Sequence, residues 1–177
     1  MIAIIFGVAA VGKTTIGKLL AKDLGWPFYE GDRFHPAANI KKMHHGTPLT
    51  DKDRQPWLKS LRGLIERKLA VNQNAVLACS ALKRKYRDFL GMNRQVRFVF
   101  LRGDRERVAE QLRRRRCHFF DPRLLDSQFA DLEEPGPGEN AIVIEIGRQP
   151  EALVAEIKEK LSAAKRASRK RKNYPRN

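Results

Sequence analysis

The stretch Gly7-Val8-Ala9-Ala10-Val11-Gly12-Lys13-Thr14 constrains this chain more than any other. It follows an apolar run, Ile2-Ala3-Ile4-Ile5-Phe6, too short for a helix and right for a buried strand. It precedes residues 16–24, whose apolar side chains recur at helical spacing. A strand, a turn with Gly at its first and sixth positions, a Lys-Thr pair and a helix form the P-loop pattern in the context that pattern requires. A Gly-containing turn ending in Lys by chance would lack that context. Backbone N–H groups of the turn and of the helix N-terminus then face anionic oxygens. Lys13 is placed for the β- and γ-phosphates of a nucleotide and the Thr14 hydroxyl for Mg²⁺, with Thr15 completing the cradle. If position 10 needs a positive φ, Ala10 costs about 1–2 kcal/mol there.

Gly25 ends the first helix, and Trp26-Pro27-Phe28-Tyr29 reads as a short second strand running into Glu30-Gly31-Asp32. In an open parallel sheet ligands bind at the carboxyl ends of strands, so Glu30 and Asp32 lie on the phosphate side. They read as neighbours of Mg²⁺ or as a base for an incoming hydroxyl; Asp32 also reads as a helix N-cap. Residues 33–60 are polar, aromatic and irregular between two core strands, the character of a substrate-specificity insertion. Pro36 and Pro48 can start helices or turns, and Thr50 or Asp51 can cap the helix that carries Trp57-Leu58. Arg54 is a surface charge or a carboxylate binder, its forked donors matching carboxylate geometry.

Ala75–Cys79 is the third strand, with Cys79 read as a small buried hydrophobe. Lys83 and Arg87, four apart, share a helix face that meets a substrate anion or simply water. Val96–Leu101 is the fourth strand, followed by a helix that Asp104 can cap and that ends in Arg113-Arg114-Arg115-Arg116. Cations at a helix end suit its dipole. Residues 113–128 are also the only stretch able to supply the mobile, arginine-bearing lid that phosphoryl transfer demands. Pro and Gly make a loop of 132–139, Ala141–Ile146 is the fifth strand, and Pro150 starts a last helix. Five apolar strands alternating with helices predict an α/β fold with a parallel, doubly wound sheet. One kinase-like domain is expected over residues 1–162.

The net charge is +16 over 177 residues. Seven cations, Lys165, Arg166, Arg169, Lys170, Arg171, Lys172 and Arg176, stand in a tail without an acid and leave +9 for the body. A basic body fits anionic ligands. The tail, 163–177, is expected to stay unfolded and to suit weak binding of a polyanion. No apolar run approaches the roughly 18 residues of a membrane span, so no membrane partner is expected. No leader pattern precedes the first strand. Cys79 and Cys117 make neither a disulfide framework nor a metal site, which suits a reducing cytoplasm.

Several of these residues form recognisable groups. They are Gly31-Asp32-Arg33-Phe34-His35-Pro36 with Asn39 and Lys42-Met43; Gly46-Thr47-Pro48-Leu49-Thr50-Asp51 with Asp53-Arg54 and Pro56-Trp57-Leu58; Cys79-Ser80-Ala81-Leu82-Lys83 with Tyr86-Arg87-Asp88; and Arg115 with His118-Phe119, Leu124-Leu125, Ser127-Gln128-Phe129 and Leu132-Glu133. On these the chain resembles, over residues 2–160, the gluconokinase family of small P-loop kinases, relatives in fold of shikimate and adenylate kinases. The family's loop usually has Ser, Gly and Ser where Ala9, Ala10 and Val11 stand; Glu30 replaces an Asp, Arg33 an acid, and Phe120-Asp121 a Met-Pro pair. The resemblance implies transfer of the ATP γ-phosphate to the 6-hydroxyl of D-gluconate with Mg²⁺, in a cytoplasmic homodimer that serves gluconate catabolism. Lys13, Asp32 and Arg115 are then the expected catalytic residues. Asp32, His35, Arg54, Lys83, Arg87 and His118 are expected around the substrate. Two other readings stay open: a kinase for a different sugar acid or polyol, and a P-loop protein that binds nucleic acid through its tail.

Overall fold

The computed structural model describes residues 1–114, 123–139 and 141–172. Five strands, β1 (Ile2–Phe6), β2 (Phe28–Glu30), β3 (Ala75–Ala78), β4 (Val96–Arg102) and β5 (Ala141–Glu145), form one parallel sheet in the order β2-β3-β1-β4-β5. The helices are α1 (Lys13–Leu24), α2 (Ala37–His44), α3 (Asp51–Ala70), α4 (Arg84–Leu90), α5 (Arg105–Arg114), α6 (Arg123–Asp131) and α7 (Pro150–Lys172), with a 3-10 turn over Gly31–Phe34. The expected α/β, doubly wound sheet is the one observed.

β1 is central and buried along its whole length, which is why it reads as a continuous apolar run. Ala3 and Ile5 face a core with Leu20 of α1 and Leu153, Ile157 and Leu161 of α7. Ile2, Ile4 and Phe6 face the opposite core, built on Trp57, Leu61 and Ile65 of α3 with Tyr86 and Leu90 of α4. The sheet thus carries helices on both faces, and every strand aims its carboxyl end at one rim.

Local chemistry sets the boundaries. Thr50 and Asp53 form a reciprocal capping box at the start of α3. The Asp104 side chain accepts from the Arg107 N–H at the start of α5. The expected end of structure at residue 162 is corrected, because α7 runs on through Lys172. Ala163, Ala164 and the long basic side chains are good helix formers, and cations at a helix C-terminus complement its dipole. Residues 173–177 lie outside the described residues. Among the described residues no helix is long and apolar enough to cross a membrane.

Candidate active site

The P-loop joins β1 to α1 at the rim, with Gly12 at φ 100° as the residue before the helix. Ala10 does take a left-handed conformation, at φ 62°. Its cost of about 1–2 kcal/mol is met by packing: Val8, Ala10 and Val11 are all buried in the α1/α7 core. The side chains anchor the loop while its backbone turns outward. Lys13 donates from Nζ to the Val8 carbonyl at 2.7 Å, across the loop it closes. The Ala9 N–H donates to Gln128 Oε1 of α6 at 2.6 Å.

Thr14 Oγ1 donates to Glu30 Oε2 at 2.8 Å, bringing the end of β2 against the start of α1. Burial, against the pull of that hydrogen bond, pushes the Glu30 carboxyl up. Asp32 sits in the first turn of the 3-10 segment, and its charge acts on Glu30, His35 and Cys79. The N-cap reading of Asp32 is corrected, since Glu30 holds the capping place of that turn and Pro36 that of α2. Cys79 is buried and its thiol pKa is pushed up by burial, as a small hydrophobe requires. Trp57 Nε1 donates to the Gly31 carbonyl at 2.8 Å and fixes α3 against the turn that carries Asp32. His35 stacks flat on Trp57, with ring centres 4.6 Å apart. Burial lowers the His35 pKa; Asp32 opposes that shift and Arg54 adds to it. A neutral imidazole at pH 7 serves as a hydrogen-bonding group rather than a charge.

Beyond the acids lies a basic cluster. Arg54 of α3 reaches Asp131 Oδ2 at 3.1 Å and donates to the Tyr86 hydroxyl at 3.3 Å. Lys83, just before α4, reaches Asp131 Oδ1 at 3.1 Å and Asp51 Oδ1 at 3.2 Å. Lys85 and Tyr86 also donate to Asp51. Lys85, Tyr86 and Lys83 hold the Asp51 carboxyl well below the usual carboxylate range. Burial pulls Lys83 down, but its bonds to Asp131 and Asp51 outweigh that, and its pKa is raised.

Arg87 is corrected. It does not share a face with Lys83, which precedes α4 in an extended conformation. Its side chain is 1% exposed and pairs with Glu139 through Nε at 2.6 Å and Nη2 at 3.0 Å. Its Nη1 donates to the Ala81 and Leu82 carbonyls. Those donors are committed inside the protein, so Arg87 braces the site rather than touching a ligand. Arg115, Arg116 and His118, with the rest of residues 115–122 of the expected lid at 113–128, lie outside the described residues. Gln128 and Asp131 were not among the expected site residues. Their spacing of three on a helix puts both on one face, and Gln128 also stands in the Ser127-Gln128-Phe129 group on which the resemblance rests.

The arrangement holds a phosphate cradle, a hydroxyl bonded to the Glu30 carboxylate, whose charge Asp32 feels, and a basic pair bridged by Asp131. That is the layout of a phosphoryl-transfer site for an anionic acceptor. A family model described as shikimate kinase matches residues 9–162. A probable gluconokinase from Xenopus tropicalis is 42% identical over 173 residues, covering 89% of this chain and 91% of that protein. A gluconokinase from Gluconobacter oxydans is 42% identical over 155 residues, covering 87% of each. Among solved structures, a sugar kinase from Janibacter sp. matches with a TM-score of 0.84 at 39% identity, over 88% of this chain and 91% of that one.

Proposed function

The chain belongs to the gluconokinase family within the shikimate-kinase-like P-loop kinases, and from that membership we propose that it phosphorylates D-gluconate with ATP. The bond from the γ-phosphorus to the β,γ-bridging oxygen breaks, a bond to the 6-hydroxyl oxygen forms, and ADP and 6-phospho-D-gluconate result. The observation that carries the reading is that the P-loop bonds to Glu30, two residues before Asp32, and to Gln128 of α6, the helix whose Asp131 holds the Arg54–Lys83 pair.

The P-loop N–H groups and Lys13 hold the nucleotide phosphates. The oxygen donors beside them suit a hard cation: the Thr14 hydroxyl lies 2.8 Å from a Glu30 carboxylate oxygen, and Asp32 stands two residues on. Among the described residues no group of three His, Cys, Asp or Glu side chains forms a self-sufficient metal site. Thr14, with Glu30 beside it, would hold Mg²⁺ together with the phosphates, leaving Asp32 to the acceptor hydroxyl. Mg²⁺ bound there would supply charge neutralisation on the nucleotide phosphates. Asp32 accepts the proton of the acceptor hydroxyl and orients its oxygen for in-line attack. Arg54 and Lys83 bind the acceptor's carboxylate, and neutral His35 hydrogen-bonds its hydroxyls. The resemblance adds Arg115 as the cation that meets the transferring charge. A homodimer in the cytoplasm, and weak polyanion binding through the basic end of α7, belong to the same reading.

The test is ADP release from ATP and Mg²⁺ with D-gluconate, its epimers, shikimate and nucleoside monophosphates as separate acceptors. Strong stimulation by D-gluconate supports the proposal. Stimulation by another acceptor alone reassigns the pocket around Arg54, and stimulation by none refutes a kinase role.

A further inference from the structure

We propose that Asp131 is a specificity-determining residue, a built-in carboxylate that competes with the acceptor's own carboxylate for Arg54 and Lys83. The inference rests on the assignment of those two cations to the acceptor. One oxygen of Asp131 lies 3.1 Å from Arg54 Nη1 and the other 3.1 Å from Lys83 Nζ. A single carboxylate thus bridges two cations from different elements, as the carboxylate of a sugar acid would. The cluster is partly shielded, with side-chain exposures of 13% for Arg54, 22% for Lys83 and 28% for Asp131. Its attractions are therefore screened less than those of a fully exposed pair.

The helix that carries Asp131 reaches the other half of the site as well. Gln128 Oε1 accepts the Ala9 N–H of the P-loop at 2.6 Å, in the manner of a phosphate oxygen. One face of α6 therefore presents an amide oxygen to the phosphate cradle and a carboxylate to the basic pair. Each group copies the chemistry of the ligand expected at its place. Without Asp131, Arg54 would lose its carboxylate partner and Lys83 would keep only Asp51, so the pair would draw small anions more strongly. With it, an anion must bring further contacts, such as a row of hydroxyls, to take the carboxylate's place. Discrimination then comes from what the ligand must displace as much as from what it gains.

The consequence is quantitative. When the binding-competent arrangement is a minor fraction, apparent affinity falls by that fraction. Asp131→Asn keeps the shape and removes the charge, and Asp131→Ser removes the reach as well. Initial rates and calorimetric binding are measured for wild type and both variants with D-gluconate and with the uncharged hexitol D-glucitol. KM and Kd for D-gluconate should fall about fivefold or more in both variants, the size two partly shielded ion pairs support. The kcat, the KM for ATP and the affinity for D-glucitol should stay unchanged, a split that a merely structural role would not produce. A KM or Kd for D-gluconate that is unchanged or raised at wild-type melting temperature overturns the proposal, as does an equal shift for D-glucitol. Wild-type turnover of D-gluconate is read separately. If it is absent, the proposed function fails, and the Kd comparison still decides: tighter binding by the variants supports the competitor, and no difference, including no binding by any of the three proteins, overturns it.

Discussion

Replacing Arg87 by Met should destabilise the protein strongly and leave acceptor binding nearly unchanged. The guanidinium is 1% exposed and Glu139, its partner, 8% exposed. It also donates to the Ala81 and Leu82 carbonyls and lies 5.1 Å from the centre of the Phe6 ring. Met fills much of the volume but leaves Glu139 as an uncompensated buried carboxylate. Breaking a buried pair in this way costs about 3–5 kcal/mol. For a chain of this size each kcal/mol shifts Tm by about 2–4 °C, so the loss should be roughly 10 °C. Thermal and urea unfolding of Arg87→Met, Glu139→Leu and the double variant measure the coupling, and the double variant should recover most of the loss. The pH dependence has a defined sign. The hydrogen bond from Arg87 is the largest cause holding the Glu139 pKa below its ordinary 4.5. The pair's contribution is therefore complete above about pH 4.5 and disappears as pH falls through the lower folded value. Arg87→Met should lack that acid-side loss. A variant as stable as wild type but with a KM for D-gluconate raised tenfold or more would refute the reasoning, because Arg87 would then be a ligand.

Three further outcomes follow from close contacts and from the site. A Cβ on Gly31 would stand 2.5 Å from the Ala78 carbonyl oxygen and 2.7 Å from Cys79 Cβ. Gly31→Ala should thus cost about 1–3 kcal/mol in urea unfolding, and an unchanged midpoint would mean that β2 is not held so close to β3. Ala10→Gly relieves about 1–2 kcal/mol of left-handed strain and adds about 0.5–1 kcal/mol of unfolded-state entropy. A small rise in the urea midpoint at constant slope is expected, and a fall would show the strain to be already relaxed. Lys13→Ala and Asp32→Ala should each lower kcat by more than about tenfold with the fold intact by circular dichroism. Near-normal turnover in folded Asp32→Ala would remove Asp32 from proton transfer.

Some residues declare their place in the sequence and others acquire it only in three dimensions. β1 and β3 did so because each is buried along its whole length and reads as one apolar run, and the start of α3 did so because Thr50 and Asp53 satisfy each other's backbone groups. The end of α7 did not, since a basic composition with only alanines as apolar residues looks the same for a solvated helix as for an unfolded tail. Arg87 was misread because charge at helical spacing says nothing about which side of a helix faces the core, and because Lys83 proved to stand outside the helix. Asp131 had no local pattern beyond its spacing of three from Gln128. Its role exists because the end of α6 meets the start of α3 and the residue before α4.

The two halves of the site differed in legibility for a single physical reason. The phosphate half is made of backbone N–H groups, so it needs a chain geometry, and geometry leaves marks: glycines, a strand before and a helix after. Its side chains are free to serve the core, which is why Val8, Ala10 and Val11 can stand in a functional loop as buried apolar residues. The half proposed for the acceptor is made of side chains, and each cation there already has a partner. Arg54 holds Asp131 and Tyr86, and Lys83 holds Asp131 and Asp51. What such a pocket binds is set by the difference between the ligand's contacts and those it replaces. A list of cations in the sequence contains only one term of that difference. The acceptor's affinity should therefore respond more to the acids around the pocket than to the number of its basic residues.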